Sequence, residues 1–195
     1  MNMKTVVLLF HPHLDQSRVN KTLAAAAENA ANVTVRNMYD LYPNFQIDVA
    51  AEQEVLKKAD RVVFQFPTYW YSTPALMKQW EDDVLTHGWA YGSQGKALVG
   101  KEFVVATSTG ADAENYTRGG DDNYWLAEFY RNLQDTAKLI NMKYVRPFFT
   151  FDAEHITDDA LARQAKRYAA YISQDSPLKI LGPLQTEADY ALPEL

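Results

Sequence analysis

The sequence predicts an α/β fold, a doubly wound parallel sheet of five strands in the order 2-1-3-4-5. Three observations predict it. Short β-branched or aromatic runs alternate with segments of helical period, and five such strand-to-helix rounds follow one another along the chain. Residues 6–10 (VVLLF) form a continuous apolar run and 61–66 (RVVFQF) reads as another buried strand, as expected where both faces of a sheet are covered. The second and fifth strands carry the marks of edges. Residues 33–36 offer only two strongly apolar positions, and 144–151 contains Pro147, which has no N–H for a ladder bond.

The elements follow in order. After the first strand, Ser17 can cap a helix over 18–31, whose Val19, Leu23, Ala26, Ala27 and Ala30 fall on one side and can pack close to a sheet. The edge strand leads through Asp40, Tyr42 and Pro43 to a helix over about 50–59 that presents Val55, Leu56 and Ala59. Pro67 ends the strand 61–66. A third helix starts at Pro74 or Ala75, because a proline there lacks only an N–H that would have no intrahelical partner. It buries Leu76, Met77, Trp80, Val84 and Leu85, Gly88 can be its C′ residue, and 88–100 is a loop before the strand 103–108. The strongest helical stripe is Leu126, Phe129, Tyr130, Leu133, Ala137 and Ile140. After the fifth strand, Thr157 caps the last helix, with Asp158 and Asp159 in its first turn and Leu161, Ala165, Tyr168, Ala169 and Ile172 inward. The domain is expected to span 1–174, and 175–195 is a tail with three prolines and no period.

Composition narrows the function. A chain of 195 residues suits one domain with a substantial core, and 47% hydrophobic with 23% charged residues excludes disorder. The 19 basic against 25 acidic residues leave a formal charge of −6, so no field favours nucleic acid. With no cysteine, disulfide scaffolds, thiolate nucleophiles and iron–sulfur clusters are excluded, which is compatible with the cytoplasm. The apolar run near the start is far short of a membrane span, so no membrane insertion is expected.

In a sheet of this order, ligands sit beyond the carboxyl ends of strands one, three and four, so the informative loops are 11–16, 67–73 and 109–123. There is no G-x-G-x-x-G and no G-x-S-x-G; Gly95 to Lys101 matches G-x-x-x-x-G-K, but Glu102 stands where a magnesium-ligating Ser or Thr is required. His11 and His13 have no third ligand of suitable type nearby, so no metal is expected. Ser17 and Asn20 open a helix, with His11, Arg18 and Lys21 close in sequence: an anion site for a phosphomonoester, or in Ser17 a plain N-cap. Tyr69, Trp70 and Tyr71 lie between Pro67 and Pro74, a stiff loop that suits a planar aromatic ligand, a hydrophobic plug or a dimer contact. The third loop adds Thr109, Gly110, Tyr116 and Arg118.

These residues carry a resemblance. His11-Pro12, Ser17-x-x-Asn20, Tyr42-Pro43-x-Phe45-x-Ile47-Asp48, Phe66-Pro67-x-x-Trp70-Tyr71-Ser72-x-Pro74-Ala75-Leu76-x-Lys78-x-Trp80, Gly88-Trp89-Ala90-Tyr91-Gly92 and Thr109-Gly110 resemble the flavodoxin-like NAD(P)H:quinone oxidoreductase family, over about residues 4–174. The sequence is similar to its short bacterial branch, which includes general stress protein 14 and the ancillary quinone reductases of potassium-efflux systems. The resemblance implies a flavodoxin-like fold, FMN (FAD in the longer animal members), NAD(P)H as donor, a quinone or related electrophile as acceptor, and a homodimer. It implies that the flavin phosphate lies at His11, Ser17, Arg18, Val19 and Asn20, the isoalloxazine against Pro67, Thr68, Tyr69, Trp70 and Tyr71, and the pyrimidine edge near Ser108, Thr109 and Gly110. Tyr116 matches a substrate-site tyrosine, while Asp121-Asp122 stand where many members have a histidine, so Tyr116 is expected to be the main hydroxyl donor. Two other classes remain: a regulatory subunit docked on a potassium-efflux transporter, and a flavodoxin electron carrier, against which the missing T-x-T-G-x-T phosphate loop argues.

Overall fold

The computed structural model describes residues 2–182. Parallel strands β1 (Thr5–Leu9), β2 (Val33–Asn37), β3 (Arg61–Pro67), β4 (Glu102–Ser108) and β5 (Lys143–Tyr144) lie in the order β2-β1-β3-β4-β5, and β6 (Phe148–Thr150) continues along β4. The fold is the expected flavodoxin-like one. In the central register Thr5 pairs with Arg61, Arg61 with Glu102 and Pro67 with Ser108, so the carboxyl ends of β3 and β4 finish level.

Alternate residues of the central strands feed opposite faces. Val7, Val63, Val104 and Ala106 pack against α1 (Arg18–Glu28) and α7 (Asp158–Ser173) through Leu23, Ala27, Leu161 and Tyr168. Leu8, Phe10, Phe64, Phe66 and Phe103 pack on the other face with residues of α2 (Met38–Leu41), α3 (Val49–Lys58), α4 (Ala75–Val84) and α6 (Arg131–Leu139). On this face Glu52 is fully buried but bonded to Arg36, to Tyr42 Oη at 2.6 Å and to Trp80 Nε1 at 3.1 Å, which anchors the turn after α2.

The structure corrects several expectations. The helical stripe from Leu126 to Ile140 is two helices, α5 (Leu126–Phe129) and α6, because Tyr130 leaves helical geometry (φ −109°, ψ 20°). The fifth strand is two pieces separated at 145–147, where Pro147 has no N–H to give. The third helix stops at Val84, and Gly88 instead serves a following turn at φ 80°, donating to the Tyr91 carbonyl at 2.8 Å. The first part of the tail lies on the body. Arg146 N–H donates to the Lys179 carbonyl at 3.1 Å, Leu181 N–H to Tyr144 at 2.9 Å, and buried Arg61 to the carbonyls of Ile172, Gln174 and Ser176. The rest of the tail, from 183, is outside the described residues. Among the described residues, no helix is long and apolar enough to cross a membrane.

Candidate cofactor and substrate site

The neighbouring carboxyl ends of β1, β3 and β4 bring the three loops to one crevice. In the first, His11 is buried, and its Nδ1 accepts from the His13 N–H at 3.1 Å. That bond leaves the proton of a neutral ring on Nε2, and burial, followed by nearby His13, lowers the pKa and favours the neutral form. His11 is thus an uncharged N–H donor. Ser17 is the N-cap of α1, its Oγ accepting from Asn20 N–H at 3.1 Å. The N–H groups of Arg18 and Val19 have no intrahelical acceptor, so the helix start keeps two donors and its positive dipole end.

Two side chains expected at the phosphate are committed elsewhere. The Arg18 guanidinium bonds Asp158 at 2.8 Å and the Ile156 carbonyl, tying the start of α1 to that of α7, which leaves its main chain for a ligand. Asn20 is buried and donates to Ser108 Oγ at 2.9 Å, while its carbonyl accepts from Gln65 Nε2 at 2.9 Å and Gln65 Oε1 accepts from Tyr168 Oη at 3.0 Å. This buried chain runs from α7 through β3 and α1 to β4, and it sets the first loop against the third.

In the second loop, Thr68 N–H donates to the Ser108 carbonyl at 2.8 Å, and Thr68 Oγ1 lies 3.0 Å from Thr107 Oγ1 and 2.7 Å from Tyr130 Oη. Tyr69 and Ser72 exchange two N–H···O bonds of 3.0 Å, closing a turn whose central residues Trp70 (φ 49°) and Tyr71 (φ 59°) are both left-handed. Such turns ordinarily take Asn-Gly, and each non-glycine residue held there costs about 1–3 kcal/mol. Trp70 is 93% exposed; the Tyr71 ring lies 5.2 Å from that of Phe129, tilted by 40°, and its hydroxyl bonds Asp122, which raises its pKa. The N–H groups of Trp70 and Tyr71 have no acceptor among the described residues.

In the third loop, Thr109 N–H donates to the Thr150 carbonyl at 3.0 Å, and a Cβ added at Gly110 would meet nothing nearer than Glu154 Oε1 at 4.0 Å. Tyr116 is buried, with its ring 6.0 Å from Phe151 and 6.2 Å from Phe129; burial first, then Asp122 and Tyr71, raise its pKa, against a hydrogen bond with Thr109.

Sequence reasoning missed Gln65, Thr107, Tyr130 and Tyr168. Gln65 was readable as one amide inside a buried strand, whereas Tyr168 sat in an apolar stripe and gave no sign of its bond. His155, outside the three loops in sequence, belongs to a segment stitched to the third. Asp152 N–H donates to Ala111 at 3.0 Å and Ala153 N–H to Thr109 at 2.9 Å, while His155 Nδ1 lies 2.8 Å from Asp152 Oδ1. Among the described residues, no group of three or more His, Cys, Asp or Glu could hold a metal ion.

The crevice therefore offers uncharged and main-chain donors for a phosphate at one end and a stiff aromatic turn with open N–H groups at the other. Comparisons with known proteins give the family. The family described as "Flavodoxin-like fold" matches residues 3–172. General stress protein 14 of Bacillus subtilis is 47% identical over 88% of this chain and 98% of its own. The glutathione-regulated potassium-efflux system ancillary protein KefF of Salmonella newport is 41% identical over 84% and 92%. The crystal structure of general stress protein 14 from Treponema denticola in complex with FMN superposes with a TM-score of 0.83 at 42% identity, covering 87% of this chain and 97% of that one. An NADPH-quinone reductase from P. pentosaceus gives 0.80 at 33%, covering 87% and 98%. The chain belongs to the flavodoxin-like family whose short bacterial members include general stress protein 14 and KefF.

Proposed function

We propose that the chain is an FMN-dependent NAD(P)H:quinone oxidoreductase. The observation that carries this reading is the pairing, on one crevice, of a phosphate-suited helix start beside neutral His11 with a strained aromatic turn. The donor set fits FMN. Neutral His11 Nε2–H and the N–H groups of Arg18 and Val19 would hold the phosphate without a buried counter-charge, with Ser17 and Asn20 holding the loop that presents them. Pro67 to Tyr71 would carry one face and edge of the ring system, and Ser108 to Gly110 the pyrimidine edge. When bound, FMN supplies two-electron transfer between a nicotinamide and a quinone.

The chain's own part is binding, orientation and proton donation. Thr68, Thr107 and Tyr130 hold the second loop at the carboxyl end of β4. Tyr116, held beside Thr109, offers its phenolic O–H where an acceptor's oxygen gains charge, while Tyr71 gives its proton to Asp122 and serves as a fixed ring. One aromatic-walled opening favours successive over simultaneous occupancy by donor and acceptor, hence ping-pong kinetics. We further propose a cytoplasmic homodimer in which a second copy covers the exposed aromatic turn. KefF's own name motivates a potassium-efflux partner as a second reading, which retention on transporter-containing membrane fractions would support.

The deciding experiment is the absorbance spectrum of the purified protein before and after anaerobic addition of NADH or NADPH. Expected are flavin bands that bleach on addition and return with a quinone. A protein that takes up no added FMN, or whose flavin neither nicotinamide bleaches, would overturn the reading.

A further inference from the structure

Beside the crevice lies a cleft of about 600 Å³ whose walls include His11, Leu14, Asp15, Lys21, Tyr39 and Asp40. Apart from His11 it contains none of the residues assigned above to the flavin, so it is a separate space that shares one wall with the phosphate end. It also abuts the aromatic turn. The His11 ring lies 6.2 Å from that of Tyr69, and Tyr39 accepts a hydrogen bond from Leu76 N–H, in the first turn of the helix that follows the turn, at 3.3 Å. Burial and the neighbouring Tyr39 hydroxyl together raise the Tyr69 pKa, a second sign that the two phenols are close. A donor whose nicotinamide lies on a flavin carried by the turn can therefore extend past Tyr69 into the cleft.

Its lining residues suit a nucleoside. Leu14 and Tyr39 give an apolar wall for a planar base, and Lys21 a cation for a 5′-phosphate. Asp40 is held in place by Asn37 Nδ2, which donates to its Oδ2 at 2.7 Å. A fixed carboxylate accepts from a ribose 2′-hydroxyl and repels a 2′-phosphate, whose recognition calls for Arg in its place. With Asp15 and Asp40 against Lys21, the cleft's carboxylates outnumber its side-chain cation.

We propose that this cleft takes the adenosine 5′-phosphate half of the nicotinamide donor and that Asp40 makes the chain prefer NADH to NADPH. The proposal rests on the oxidoreductase reading above. Two measurements test it. In calorimetric titrations of the FMN-loaded protein, 5′-AMP should bind at least about tenfold more tightly than adenosine 2′,5′-bisphosphate, and Asp40→Arg should remove or reverse that difference. In steady-state assays, kcat/KM should favour NADH over NADPH by a similar factor, Asp40→Arg should shift the ratio toward NADPH, and Tyr39→Ala should raise KM for NADH. Reduced nicotinamide mononucleotide, which has no adenosine half, should respond to neither variant. Equal or tighter binding of the bisphosphate, wild-type preference for NADPH, or parallel losses with the mononucleotide would each overturn the proposal while leaving the oxidoreductase reading intact. If none of the three nicotinamides is oxidised, the oxidoreductase reading fails and takes this proposal with it.

Discussion

Glu81 has a side chain that its sequence neighbours disguise. It follows Trp80 on α4 and is only 9% exposed, although the apolar stripe read from the sequence passes it by. Burial, offset in part by Lys78, raises its pKa from 4.5 to about 7. Between those values the folded state binds more proton than the unfolded one, so this contribution is full below about pH 4.5, declines as pH rises and is lost above 7. Glu81→Gln keeps the side chain neutral throughout. Urea unfolding should find the variant more stable than wild type at pH 8 by roughly 1–3 kcal/mol and nearly equal at pH 4.5. A constant difference at both values would contradict the linkage. Tyr116 is the matching case for function. Its place in the site was legible from the resemblance, but its burial against Phe129 and Phe151 and its bond to Thr109 were not, since only the fold brings these groups onto its ring and hydroxyl. Tyr116→Phe keeps the ring and removes the O–H, so quinone turnover should fall about tenfold or more with FMN affinity unchanged. Unchanged turnover would assign proton donation to solvent.

Elements were legible where their periodicity is local and illegible where a distant partner decides. The stripe from Leu126 to Ile140 has helical spacing throughout, yet Tyr130 breaks it, and Tyr130 Oη is bonded to Thr68 at 2.7 Å while its ring packs 5.4 Å from Phe66. Those contacts join residues far apart in sequence, and no window across the stripe contains them. Pro147, by contrast, announced an edge, and the strand divides beside it. The aromatic loop after β3 was recognisable as a candidate ring site, but its left-handed backbone was not, because turns of that hand carry glycine or asparagine signals that Trp70 and Tyr71 lack. Strain kept in an exposed turn is a mark of function over stability. Trp70→Gly relieves it and removes a ring that touches little within one chain. The FMN-free variant should be about 1 kcal/mol more stable than wild type, while its affinity for FMN falls; differential scanning calorimetry with and without cofactor reads both. A destabilised FMN-free variant would mean that the Trp70 ring supports the fold.

At the scale of the whole molecule, the order of the sheet places one crevice where three loops meet, and the same end of the molecule carries its exposed aromatic surface. Trp70 is 93% exposed, Tyr124 52%, Tyr71 49% and Tyr69 40%, all of them in or directly beside the loops that form the crevice. Rings of this size are favoured at interface centres, where each removes a large apolar area from water. A second copy laid over this end would also shield the bound substrate from solvent. Each chain carries a formal charge of −6, so two copies repel, and screening by salt weakens that repulsion. Apolar association against like charge has a recognisable dependence: the dimer should tighten as ionic strength rises. Sedimentation equilibrium at micromolar concentration is expected to give twice the single-chain mass, with a dissociation constant that falls from low to physiological salt, and Trp70→Ser should weaken the dimer at every salt concentration. A single-chain mass under these conditions would refute the dimer. Weakening by salt would show instead that opposite charges, not aromatic rings, hold the copies together.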